Sequence, residues 1–366
     1  MYVVRPFITY RAIEIDAGAT TIGLIGAVYA LFPVLLALKF GSWVGKYGEG
    51  KFIVIGNLSL VASCFTLLYS NNIPLLVVAT AFAGLSHLAL MVGGQTMVAL
   101  RAAKSEYNRL FGFYTFSASL GHTFGPVIAG LLAGSLANGM PKESNNAFIF
   151  AIALSAFALI PTFSWRNSLP TVNAAREQSN TWAAAKSMLG RREISSAVFI
   201  SLAISSTLDL LVIFLPLLGT ERNIDPAVIG LIISLRAVGS MGSRLILGKV
   251  SQHISDRNLL VSTTAIAMLA CIGMVYTANP FLLALLVFIA GFASGFGQPL
   301  TMALISLRTE ADERALAVSA RLSGNRLGQF LLPVAAGILA NGAGVGAVFW
   351  SMALLLGASL VTSATN

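Results

Sequence analysis

The sequence predicts an all-α membrane protein, two pseudo-symmetric six-helix bundles with the first helix truncated and about eleven full transmembrane helices. Three observations carry that prediction. Hydrophobic residues make up 56% of the chain and charged ones 10%, with a mean hydropathy of +0.82, a balance that soluble domains rarely reach. The apolar residues fall in runs of bilayer-spanning length separated by short polar turns. The second half of the chain repeats the first in one unbroken register.

In order, Met1 to Tyr10 reads as the outer end of the truncated first helix, with Phe7 and Ile8 under Phe214 and Leu215. Apolar runs follow at Thr21 to Phe40, Phe52 to Ser70, Pro74 to Leu100, Phe113 to Leu136 and Ala147 to Phe163. The second half holds Ile194 to Leu218, Ala227 to Leu247, Leu259 to Tyr276, Pro280 to Ser306, Val318 to Ala340 and Val345 to Thr362. In lipid each must be a helix, because runs this long exclude barrel strands. The boundaries expected are a first bundle over 1–164, a polar cytoplasmic linker over 165–193, and a second bundle over 194–366. Alternate connections hold Lys46 and Lys51; Arg101, Lys104 and Arg109; Arg166, Arg176, Lys186, Arg191 and Arg192; Lys249 and Arg257; and Arg308 and Arg314. The opposite connections hold little beyond Lys142 and Arg222, which places the first set and the C-terminus in the cytoplasm, with the chain in the cell (inner) membrane.

The repeat offset, 230 − 23 = 207 residues, matches Ile22-Gly23-Leu24-Ile25 with Ile229-Gly230-Leu231-Ile232. It also pairs Cys64 with Cys271, Gly84 with Gly291, Leu100-Arg101 with Leu307-Arg308, and Pro126-Val127 with Pro333-Val334. By the same offset most of the first helix lies before Met1. The expectation is a translation start upstream of Met1, with true loss of that helix as the alternative.

Two residues stand out in the helices over Ile194 to Leu218 and Ala227 to Leu247. Asp209 and Arg236 lie at equal depth below their shared turn, about 13 Å at 1.5 Å per residue. An unpaired charge there costs at least ~2.5 kcal/mol, so the two are expected to meet, either as a fixed structural pair or as a coupling site that changes partners. Arg321, Asn325, Arg326 and Gln329 fall within an arc of about 140° on the next-to-last helix, which should face the cavity or the seam between halves. Tyr29, His87, Gln95, His122 and Gln298 complete the cavity-lining candidates; the offset maps Tyr29 onto Arg236 and His122 onto Gln329, so that the latter two could face each other. His87 could carry a proton, or be a neutral hydrogen-bonded core residue.

With the repeat and these loops in view, nearly the whole chain resembles the major facilitator superfamily. Gly41-Ser42-Trp43-Val44-Gly45-Lys46-Tyr47-Gly48 is similar to its gating motif between helices two and three: Gly41, Lys46 and Gly48 fit, and Gly45 stands where an acid is expected. The second copy begins at Gly248 and has Gln252 at the acid position. Gly121, Gly125, Pro126 and Gly130 resemble the helix-five motif of the family's efflux, multidrug-like branch, although close helix packing would use the same residues. Thr80 stands where drug and proton antiporters often carry an arginine.

Other chemistries find no support. Basic residues are dispersed among short loops, against a nucleic-acid partner. Cys64 and Cys271 lie inside apolar runs, against disulfides. Gly45 to Lys51 mimics a phosphate-binding loop, but Phe52 replaces the needed hydroxyl and no strand precedes it. No metal site, cofactor or catalytic constellation is expected, and the protein should not be an enzyme. The resemblance implies a secondary transporter of a small solute working by alternating access, with proton-coupled efflux of an amphiphilic or drug-like compound by a monomer in the bilayer as the leading expectation. The alternatives are a sugar or metabolite facilitator or importer, and a non-transporting membrane scaffold or sensor.

Overall fold

Apolar runs that cannot leave a backbone polar group unpaired in lipid must fold as helices. In the computed structural model, which describes residues 1–101, 107–134, 136, 139–164, 190–307 and 314–365, they do. The first half comprises α1 (Val4–Glu14), α2 (Ala19–Tyr47), α3 (Glu49–Leu68), α4 (Ile73–Arg101), α5 (Tyr107–Ala133) and α6 (Ser144–Ser164). The second comprises α7 (Arg192–Glu221), α8 (Pro226–Val250), α9 (Asp256–Tyr276), α10 (Pro280–Gly295), α11 (Gly297–Leu307), α12 (Arg314–Ala343) and α13 (Gly346–Thr365). Helices α10 and α11 share one span, Pro280–Ile305, and among the described residues there are 10 spans long and apolar enough to cross a membrane. The 30-residue α12 is not among them, because Arg321, Asn325, Arg326 and Gln329 break its apolar character. Lys104, Arg166, Arg176, Lys186, Arg308 and residues 165–189 of the expected linker lie outside the described residues.

Helix starts follow local chemistry. The Asp225 carboxylate caps α8 by accepting from the Ala227 amide at 2.6 Å, with Pro226 at the first helical position. Asn279 caps α10 in the same way, followed by Pro280. The reversal from α2 into α3 is made at one residue, Gly48, whose φ of 91° is open to glycine and strained for any side chain. Gly48→Ala is therefore expected to cost about 2 kcal/mol in chemical unfolding. Here the glycine of the gating motif has a backbone reason, and Lys46 stays exposed over the Tyr47 ring. At the opposite face Arg222 donates to the Met274 and Val275 carbonyls at 3.0 and 2.8 Å and also to Thr277, capping the C-terminal end of α9. Arg222→Ala should lower the unfolding free energy by about 1.5 kcal/mol.

The span Arg192–Glu221 is 78% buried, more than any other, so α7 is the most enclosed of the spans, packed mainly by α12, α13, α11 and α1. The short α1 lies against it, with Thr9 donating to the Ile213 carbonyl at 3.0 Å and Phe7, Ile8, Phe214 and Leu215 in one apolar cluster.

The sequence repeat reappears as paired close approaches between helices. A methyl group on Gly84 of α4 would collide with the Tyr29 carbonyl of α2, and one on Gly291 of α10 with the Arg236 carbonyl of α8, the equivalent pair at the same offset. Between the halves, Gly23 of α2 touches Pro333 and Gly337 of α12, while Gly230 of α8 touches Pro126 and Gly130 approaches Pro226 and Ala227. The heaviest packing between the halves is accordingly α2 on α12 and α5 on α8. Glycines bring backbones together there, where lipid supplies no hydrophobic drive for helices to associate. Gly121 and Gly125 instead make room for Tyr2 and Val3 at the start of α1. Gly248 has nothing within 4 Å of where a Cβ would stand, so close packing does not explain it.

Candidate substrate and coupling site

The centre of the site is an ion pair between an Arg5 Nη2 and an Asp209 Oδ2, 2.5 Å apart. Asp209 is 7% exposed, and the pair joins α1 to α7. This corrects the expected partnership of Asp209 with Arg236. Equal depth fixes height on a helix but not direction. The offset places Asp209 opposite Tyr2, and Arg5 follows Tyr2 by three residues, which puts it on the same face of α1. That signal was present in the sequence, yet it singled out neither Arg5 nor Tyr2 beforehand.

Arg5 also stacks over the Tyr29 ring at 4.5 Å, and that ring lies 5.7 Å from the His87 imidazole. Tyr29 is aimed inward because the α2–α4 crossing at Gly84 fixes its backbone. Arg236 is its equivalent on α8, fixed at the Gly291 crossing. The residue is 7% exposed and, among the described residues, makes no ion pair and leaves Nε without a hydrogen-bond partner. The His122 ring lies against Tyr2, centroid to centroid 3.5 Å, in the space that Gly121 and Gly125 open. Gln329 accepts from Arg326 Nη1 at 2.9 Å, and Arg326 Nη2 reaches the Met91 sulfur at 3.2 Å, crossing from α12 to α4. Tyr2 lies within electrostatic reach of Arg5, Arg236 and Arg326 together.

The four polar residues of α12 therefore divide. Arg326 and Gln329 face the first half, while Arg321 turns into its own half and donates to Ser201 Oγ of α7 at 3.0 Å and to Gln298 Oε1 of α11 at 2.8 Å. Arg321 and Gln298 thus lock helices within one half. The buried Asn325 carries an Oδ1 with no hydrogen-bond partner among the described residues. Gln95 of α4 is half-buried. Thr80 spends its hydroxyl on the Leu76 carbonyl at 2.8 Å and lines a narrow cavity with Arg5, Thr9 and Tyr29. Among the described residues no group of His, Cys, Asp and Glu could hold a metal ion.

The arrangement is one buried carboxylate paired with Arg5, with Arg236 and Arg326 near enough to feel its charge, at the seam between two halves held by bare backbone contacts. The model of the Major Facilitator Superfamily matches residues 1–220 and 194–364. The chain belongs to the major facilitator superfamily. Its similarity to curated members of that superfamily is distant. The tetracycline resistance protein, class H, of Pasteurella multocida is 23% identical over 314 residues, 83% of this chain and 75% of that protein. Multidrug resistance protein MdtG of Salmonella choleraesuis (strain SC-B67) is 24% identical over 289 residues, 77% of this chain and 69% of that protein. Multidrug resistance protein 1 of Bacillus subtilis (strain 168) is 26% identical over 147 residues, and the match spans 36% of that protein's length. Among solved structures, that of the nucleoside transporter NupG has a TM-score of 0.77 at 13% identity, covering 100% of this chain and 96% of that one. A POT family transporter has a TM-score of 0.74 at 14% identity, covering 100% and 93%. Those two show the same fold, and the family match together with the 10 candidate spans among the described residues makes the chain an integral multi-pass membrane transporter.

Proposed function

We propose that the protein is a secondary transporter that moves a small amphiphilic solute by alternating access, linked to a proton carried by Asp209. The observation that carries this reading is the Arg5–Asp209 pair, a buried acid held by one cation with two more nearby. A charge this deep is costly unless paired, which is why Asp209 is held by Arg5 and why this reading makes it the group that exchanges Arg5 for a proton. That exchange is a switch that proton binding can bias. The α2–α12 and α5–α8 seams, built on Gly23, Gly230, Gly130 and Gly337, give the halves surfaces on which to rock. The chain works as a monomer in the cell (inner) membrane with its C-terminus in the cytoplasm, a topology supported by the basic loops.

Export is the direction that the names of the tetracycline and multidrug resistance relatives support. Import is the second reading, favoured by the surplus of positive charge around Asp209, which lets a proton and an anionic solute enter the site together. Everted vesicles with a respiration-driven pH gradient and an acridine dye separate the two. A solute exchanged for protons restores dye fluorescence, and one carried with protons quenches it further. If no solute in an amphiphile and metabolite panel moves protons or shows saturable flux, the protein is not a transporter of this kind.

A further inference from the structure

We infer that the solute carries an anionic group, and that Arg236 and Arg326 receive it. The inference rests on the transporter reading above and adds the chemical class of its substrate. Within the described residues the only carboxylate in an ion pair at this site is that of Asp209, and Arg5 already occupies it. Arg236 is more than nine-tenths buried and, among the described residues, has no ion pair and no hydrogen-bond partner for its Nε. Among the described residues Arg326 donates to a neutral amide and a thioether sulfur, the latter a weak acceptor. Arg321 supplies the contrast: equally buried and with its own Nε also without a hydrogen-bond partner among the described residues, it is nonetheless held through Nη1 by Ser201 and Gln298 within one half and so has a packing role. Arg236 and Arg326 come from α8 and α12, helices at the two inter-half seams, and both lie within electrostatic reach of Tyr2. A guanidinium presents forked donors that match the two oxygens of a carboxylate, sulfonate or phosphate. The paired rings of Tyr2 and His122 and the Tyr29 ring under Arg5 suit a flat apolar body behind that head. The ligand is thus a planar organic anion.

Three probes of one shape and three charges test this: benzoate, benzamide and benzamidine, each at about 10 mM and matched ionic strength, added to the purified full chain in detergent while its melting temperature is read. Benzoate is expected to raise the melting temperature by about 2 °C, with benzamide and benzamidine giving less than half of that. The benzoate shift should vanish in Arg236→Gln and in Arg326→Gln and persist in Arg321→Gln. Should a glutamine variant not fold, the order of the three probes on the unaltered protein still decides. Any other order, including no shift with all three, overturns the anionic class. The dye and flux measurements are independent of this one, so a chain that moves solute without preferring benzoate loses only the anion inference, and one that binds benzoate but moves nothing loses the transporter reading.

Discussion

Asp209→Asn is expected to remove proton-linked solute movement in everted vesicles to background, a loss of at least about tenfold, while the protein still folds and inserts. Asparagine keeps the shape of the side chain but can neither take up a proton nor neutralise Arg5. The fold survives because Arg5 retains its contact with the Tyr29 ring at 4.5 Å and α1 keeps its bond from Thr9 to Ile213. Solute exchange without a pH gradient should persist, since it requires the halves to rock but no proton to be carried. Full gradient-driven transport by this variant would take Asp209 out of the mechanism.

The second large effect is expected at Gly230→Leu. Gly230 lies against the Pro126 carbonyl, so the new side chain meets backbone from another helix, which cannot rotate away as a flexible side chain could. The α5–α8 seam must open or the variant must misfold, at about 3 kcal/mol. Flux should fall at least about tenfold, and Gly23→Leu, the equivalent contact with Pro333 at the α2–α12 seam, should behave alike. Gly248→Ala is the control: with nothing within 4 Å it should be neutral or more stable by about 0.5 kcal/mol. Equal tolerance of leucine at 230 and alanine at 248 would show that the seam is not the moving surface.

The architecture was legible in the sequence because a bilayer permits few answers. Apolar runs of spanning length had to be helices, and the offset relating Gly23 to Gly230 and Pro126 to Pro333 reappears as matching backbone contacts in space. The site was legible in part. Asp209, Arg236, Tyr29, His122, Arg326 and Gln329 were singled out as buried polar residues, and the structure gathers them around the seam. Their pairing was not legible, because depth along a helix comes from counting residues whereas the partner depends on how each helix is turned. Arg5 and Tyr2 were missed since α1 is too short to register as a span, although the repeat placed Tyr2 opposite Asp209. Arg321 and Gln298 shared the polar character of their neighbours yet serve helix packing, a distinction that only hydrogen-bond partners reveal.

A double-mutant cycle in chemical unfolding of the purified protein tests the central claim, that Asp209 is held by Arg5. With Arg5→Gln and Asp209→Asn singly and together, a coupling energy of about 2 kcal/mol is predicted, and less than about 0.5 kcal/mol for the parallel cycle of Arg236→Gln with Asp209→Asn. Strong coupling of Asp209 to Arg236 and none to Arg5 would contradict the account.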